Sequence, residues 1–373
     1  NYQNIHALLG SAFFQMGSTD KAITAYKKQI ELNPKVADYH YNLGLAYLKK
    51  QPYDEAVQAF KTPITLDANA GKAYRNLGYI LLNQQKLTEA VQALQQAVSL
   101  GATSWYDWYN LGVAYYLQEA YADAVQACQK ALELQPQNTD VQTALAKAYL
   151  KMGRTDAALI QYQAVRKSRP FAPEIRYEIG LIYRQKKQCQ EAIAEFRWAL
   201  KQDPNHVKAR TQLAECLMES GQIDNAIVAY EHALELEPDA VDARLGLGIA
   251  LINQREYEKA LTHLLQAKSR DPERGDIRFH LALCYDLEGQ HQQAAEEYQE
   301  SIKIDPTLPE AHFNLAVIYD GEGRKTDAEN LYQKSVTLKP DFAEAYNNLG
   351  TIYSDRGEVQ KALEAFAQAI TLK

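Results

Sequence analysis

The feature that most constrains this chain is a period: alanine recurs every 34 residues, at Ala22, Ala56, Ala90, Ala124, Ala158, Ala192, Ala226, Ala260, Ala294, Ala328 and Ala362. Alanine fills only about a tenth of positions in an ordinary chain, so an unbroken series is not chance. A second register keeps the same phase: Leu, or Ile179, followed by Gly or Ala, from Leu9-Gly10 to Leu349-Gly350. A period of this length means stacked units, each burying its apolar face against its neighbours. The 373 residues would otherwise suggest two or three globular domains. The repeat instead predicts one elongated solenoid with eleven units, over 3–36, 37–70, 71–104, 105–138, 139–172, 173–206, 207–240, 241–274, 275–308, 309–342 and 343–373.

Within a unit, apolar residues at positions 4, 7, 8 and 11 trace one face of a first helix, and positions 20, 24 and 27 trace a second. Gly17, Gly153, Gly221, Gly289, Gly323 and Gly357 mark the turn between them. Small residues at 8 and 20 predict close approach of the two helices. Proline at position 32 (Pro34, Pro136, Pro170, Pro204, Pro238, Pro272, Pro306, Pro340) ends the second helix. Two departures stand out. Pro63, inside a second helix, predicts a kink or an early end. Units two and three have Ala68 and Ala102 in place of the terminal proline, so stacking between 60 and 105 is expected to be irregular.

Unit four, with Trp108, Leu111-Gly112, Tyr115, Ala124 and Pro136, and unit eleven, with Tyr346, Leu349-Gly350, Tyr353, Ala362 and Phe366, resemble the tetratricopeptide repeat family. The resemblance spans residues 3–373. It implies an all-α fold, a right-handed superhelical α-solenoid of stacked antiparallel helix pairs, with first helices lining a concave groove. It also implies a non-catalytic scaffold that binds a protein or extended peptide.

The remaining chemistry is sparse. Net charge is −7, which argues against a general phosphate-binding surface and hence against nucleic acid. No apolar run reaches the roughly 18 residues that a membrane-spanning helix needs, so no membrane insertion is expected. The start at Asn1 and the stop at Lys373 resemble the edges of a larger piece. Cys128, Cys189, Cys216 and Cys284 sit on apolar positions without metal-ligand spacing, favouring buried thiols and a reducing, cytoplasmic setting. His6, His40 and His312 share position 4, an aromatic packing slot. No phosphate loop, zinc motif or nucleophile elbow is present, and the reading is of a chain with no enzyme activity, cofactor or metal.

Candidate binding residues are what the template leaves over. Most of the 25 tyrosines fall on positions that the fold needs. Tyr41, Tyr79, Tyr106, Tyr109, Tyr116 and Tyr177 do not; they project from first helices into the expected groove, beside Asn42, Asn76 and Asn110 at position 6. Tyrosine offers amphipathic area and an Asn amide pairs both ways with a peptide backbone. Arg75 and Lys147, with Lys49, Lys72 and Lys151, make this early groove mildly basic. Asn at position 6 resembles the asparagine ladder of O-GlcNAc transferases, continuing at Asn314 and Asn348 but interrupted over units five to nine. That leaves a second reading, the substrate-recruiting region of a larger enzyme such as a glycosyltransferase. A chaperone-tail carboxylate clamp does not fit, because Asn76 stands where Arg is required. Late in the chain Glu219, Asp286, Asp320 and Asp355 lie near first-helix C-termini, against the helix dipole. They form either internal salt bridges or an acidic groove for basic segments. The last helix keeps Leu363, Phe366 and Ile370 with nothing after it, which gives a third reading: assembly through the ends or convex face, including a second copy.

Overall fold

The computed structural model describes residues 4–67, 70–101 and 104–372. Among these, every regular element is a helix. In order they are α1 (Ile5–Gln15), α2 (Thr19–Leu32), α3 (Ala37–Lys50), α4 (Tyr53–Leu66), α5 (Gly71–Asn83), α6 (Leu87–Ser99), α7 (Trp105–Leu117), α8 (Tyr121–Leu134), α9 (Thr139–Lys151), α10 (Thr155–Ser168) and α11 (Pro173–Gln185). Then follow α12 (Cys189–Gln202), α13 (Val207–Glu219), α14 (Ile223–Leu236), α15 (Val241–Asn253), α16 (Tyr257–Arg270), α17 (Gly275–Leu287), α18 (His291–Ile304), α19 (Pro309–Gly321), α20 (Lys325–Leu338), α21 (Ala343–Asp355) and α22 (Val359–Thr371). The chain divides into two compact units, residues 1–175 and 176–373. Each is an α-solenoid of antiparallel helix pairs stacked in chain order.

The alanine register is the centre of each pair. The position-20 alanines are fully buried from Ala22 to Ala328, and Ala362 is 6% exposed. The small residue at position 8 has a more specific reason than close backbone approach. A Cβ added to Gly44 would come within 2.7 Å of the Phe60 ring, one on Gly180 within 2.5 Å of Phe196, and one on Gly78 within 2.6 Å of Leu94. The glycine is thus the floor on which the position-24 side chain lies.

The turn between helices needs a left-handed residue at position 15 of every unit. Gly17, Gly153, Gly221, Gly289, Gly323 and Gly357 have positive φ, and so do Gln51, Gln85, Glu119, Lys187 and Arg255. The five non-glycine residues hold a conformation that costs about 1–2 kcal/mol each. The stack compensates elsewhere. Position 4, expected to pack, often carries a polar group that reaches back to the carbonyl of the proline six residues earlier. His40 bonds Pro34 O at 2.8 Å, Gln142 bonds Pro136 O at 3.2 Å, Arg210 bonds Pro204 O at 2.7 Å and His312 bonds Pro306 O at 3.0 Å. Arg244 and Arg278 do the same to Pro238 and Pro272. Each bond satisfies a carbonyl in the turn between two helices and contributes about 0.5–1.5 kcal/mol.

One expectation is corrected. Pro63 does not end its helix early: α4 runs fourteen residues through the buried Pro63 to Leu66. The ring forfeits only the bond that residue 63 would make back to Ala59 O; the helix continues past it, and Asp67 N donates to Pro63 O at 2.9 Å. Ala68 and Ala102 lie outside the described residues. A 360 Å³ recess is lined by Pro63, Asp67, Ala70, Gly71, Leu100 and Gly101 among others.

Candidate functional site

In residues 1–175 the first helices bring four aromatic side chains into one ribbon. Tyr79 of α5 meets Tyr106 of α7 with ring centroids 6.4 Å apart. Tyr106 in turn touches Trp105 at 5.6 Å and Tyr109 at 6.4 Å, and Trp105 lies 6.1 Å from Tyr109. Tyr106 is 37% exposed, and Tyr79, Trp105 and Tyr109 are half-buried around it. Next to it is a recess of 590 Å³, lined by Tyr109, Val113, Tyr116, Leu117, Lys147 and Ile175 among others. Burial pushes the Tyr109 hydroxyl above its ordinary pKa, with the Asp140 charge adding to the effect, so it stays a donor. Tyr116 packs edge-on against Tyr121 at 5.6 Å. Asp140, on the same rim, is engaged by Arg169 at 2.9 Å, whereas Lys147 is exposed and has no ion-pair partner among the described residues.

The other early candidates are placed differently. Tyr41 and Asn76 bond each other, Asn76 Nδ2 donating to the Tyr41 hydroxyl at 3.2 Å, and Tyr41 packs edge-on against Phe60. Asn42 is half-buried. Asn110 is only 4% exposed and its Nδ2 has no hydrogen-bond partner. Arg75 is held by a residue that the sequence reading passed over. Its guanidinium forks onto Asp107, with Nη2 to Oδ2 at 2.7 Å and Nε to Oδ1. Asp107 is fully buried and also accepts from Ser104 N at 3.0 Å and Ser104 Oγ at 2.7 Å. This capping box fixes the start of α7, and hence the Trp105–Tyr109 ribbon, against α5. The Ser104-x-x-Asp107 spacing was the available signal.

In residues 176–373, Tyr177 stacks against His206 at 4.9 Å, and burial raises its pKa. The four late acids all have internal partners. Glu219 lies 3.5 Å from Arg184, Asp320 2.6 Å from Lys325 and Asp355 3.6 Å from the same lysine, while Asp286 Oδ1 lies 2.9 Å from His291 Nδ1. The late position-6 amides are engaged too. Asn314 Nδ2 donates to the Tyr298 hydroxyl and Asn348 Nδ2 to that of Tyr332, each at 3.0 Å. The equivalent of those tyrosines for Asn110 is Leu94, which has no hydroxyl to offer. Among the described residues no group of three or more His, Cys, Asp or Glu could hold a metal ion, and no helix is long and apolar enough to cross a membrane.

Paired helices on a fixed period, with side chains left over on the first-helix face, define a helical-repeat protein. Comparison with known proteins gives the family. Models described as TPR repeat match residues 10–51 and 287–323. Models described as tetratricopeptide repeat match 217–284, then 64–107, 143–207 and 187–234, then 106–138 and 343–373, and also 37–69 and 309–342. The chain belongs to the tetratricopeptide repeat family. Among solved structures it is similar to the Cut9 complex with Hcn1 of the APC/C (12% identity, TM-score 0.55, covering 100% of this chain and 94% of that one). It is also similar to Pseudomonas aeruginosa pilF (22% identity, TM-score 0.51, covering 55% and 93%). A third similar structure is YrrB, described as a TPR protein with an unusual peptide-binding site (24% identity, TM-score 0.47, covering 50% and 95%). The search of curated proteins found no match.

Proposed function

We propose that this chain is a non-catalytic interaction scaffold that holds an extended peptide, or an extended segment of a partner protein, on the first-helix face of residues 1–175. The observation that carries the reading is the ribbon Tyr79–Trp105–Tyr106–Tyr109 adjoining the 590 Å³ recess with its unpaired Lys147. Rigid aromatic side chains supply contact area at low entropy cost, and the Tyr109 hydroxyl, whose pKa burial raises, supplies a donor. Affinity is spread: each net hydrogen bond contributes about 0.5–1.5 kcal/mol, so several repeats act together. Tyr79, Tyr106, Tyr109, Tyr116 and Lys147 are the contact residues; Tyr41, Asn76 and Arg75 shape the face from behind.

The family and the self-paired late acids favour this over a groove selective for basic segments. The second reading, a substrate-recruiting region of a larger enzyme, gains less support, because Asn314 and Asn348 already bond tyrosines. The test is capture of partners from an extract followed by titration of the identified peptide against the Tyr79→Ala, Tyr106→Ala, Lys147→Ala triple variant. A loss of tenfold or more, about 1.4 kcal/mol, supports the proposal. Unchanged affinity in the folded variant refutes it and turns attention to the ends and the convex face.

A further inference from the structure

We infer that Cys189 and Cys216 form an oxidisable pair, in which the outer Cys189 takes up a small-molecule disulfide and the buried Cys216 resolves it into a cross-link between α12 and α13. The two thiols are far apart in the repeat, at positions 17 and 10, and neither has a sequence neighbour that hints at pairing. The fold brings them together. Cys189 is the first residue of α12, and its Sγ donates to Glu219 Oε2 on α13 at 3.0 Å. Cys216 lies one turn before Glu219 on α13, and Cys189 packs against the buried cluster that contains Cys216. Exposure assigns the roles: Cys189 is partly open to solvent, whereas Cys216 is fully buried. The other two cysteines, Cys128 and Cys284, are both buried.

The chemistry balances with an oxidised low-molecular-weight disulfide as co-reactant. The Cys189 thiolate attacks one sulfur; the small disulfide bond breaks, one small thiol leaves and a mixed disulfide forms on Cys189. The Cys216 sulfur then attacks the Cys189 sulfur, an S–S bond forms between the helices, and the second small thiol leaves. The two protein protons end on the two departing thiols, so the protein dithiol is oxidised and the small disulfide is reduced.

Two local effects oppose each other. Cys189 sits among the free amides of a helix N-terminus, which favours thiolate. The hydrogen bond to Glu219 raises its pKa, and burial pushes the Cys216 thiol up to about 12. The pair therefore reacts slowly at neutral pH and faster as pH rises. Glu219→Gln removes the opposing charge and accelerates the first step.

The test exposes the full chain to oxidised glutathione at about pH 8.5, near an ordinary thiol pKa. Alkylation, intact mass and peptide mapping follow. Wild type is expected to yield a Cys189–Cys216 cross-linked peptide, reversed by reductant, and to melt at a higher temperature than the reduced chain. Cys216→Ser is expected to stop at a stable glutathione adduct on Cys189, and Cys189→Ser to give neither product. Circular dichroism checks that both serine variants fold. A wild-type chain that keeps the adduct, or whose Cys189 and Cys216 are both alkylated after prolonged exposure, overturns the inference.

Discussion

The Arg75–Asp107 pair is the joint on which the aromatic ribbon depends, and its removal has a calculable cost. Asp107 is fully buried and accepts four hydrogen bonds: two from Ser104, which start α7, and two from Arg75 on α5. Asp107→Asn keeps the shape but replaces one acceptor oxygen by a donor facing a guanidinium. Breaking a buried pair from one side costs about 3–5 kcal/mol. Arg75 is 28% exposed and can partly rehydrate, so the expected cost falls to about 2–3 kcal/mol. Arg75→Met removes the cation while keeping the stem, and leaves Asp107 with its two Ser104 bonds. The double variant should therefore be more stable than the sum of the single costs implies, with a coupling of about 1–2 kcal/mol. The assay is urea unfolding of the four chains. Hydrogen exchange of the α5 and α7 amides accompanies it, because repeat arrays need not unfold in one step. A cost below about 0.5 kcal/mol for Asp107→Asn, or strict additivity, would refute the view that this pair fixes α7 on α5.

Other expectations follow from the same geometry. Gly180→Ala drives a Cβ to 2.5 Å from Phe196 and should cost about 1–2 kcal/mol net of its helix-propensity gain, whereas Gly321→Ala, with nothing within 4 Å, should stabilise by about 0.5–1 kcal/mol, both read by thermal unfolding. Glu119→Gly relieves a left-handed residue at φ 63° and should stabilise by about 0.5 kcal/mol; a destabilised variant would mean that the turn carries no strain. Asn314→Ala strands the Tyr298 hydroxyl and should cost about 1–2 kcal/mol without changing peptide affinity. Burial lowers the pKa of His263, His280 and His312 below 6.5. Their contribution is present above that value and is lost as pH falls from it toward their folded values, because the unfolded chain then binds more protons. Arg244 beside His263 and Lys334 near His312 reinforce the shift, and Asp276 beside His280 opposes it. Glu215, raised by burial, works the other way nearer the carboxylate range. Unfolding followed across this window should show stability decreasing with acidification, and His312→Gln should make the slope shallower.

The period made the helix pairs legible because burial repeats with it: the same position meets the same environment in every unit. What stayed hidden depends on pairs of positions rather than on single ones. Small residues at position 8 were legible as close packing, but not as the seat of the position-24 ring, since the reason lies on another helix. Five of the turns carry Gln, Glu, Lys or Arg where glycine was the cue, and only phase, not residue type, marks Gln85 or Lys187 as left-handed. At position 4, His40 and His312 were read as packing and Gln142 and Arg210 were not read at all, although a His, Gln or Arg six residues after a proline was visible at each. Candidate site residues were legible as positions on a face. Whether a side chain on that face is free, as Lys147 is, or engaged, as Arg75 is, depends on a neighbour 32 residues away.

That dependence is why we propose binding on the early face although the late face holds more acid. The late ion pairs are partly solvent-exposed, and such pairs contribute only about 0–1 kcal/mol, so a partner could displace them at small cost. What a partner's cation would gain there is equally small, because it would form an exposed ion pair of the same kind. The early face differs in kind. Its aromatic rings touch one another while Tyr106 remains exposed, and its lysine has nothing to exchange. New contacts there add to the folded protein's interactions instead of replacing them, and net affinity comes from additions.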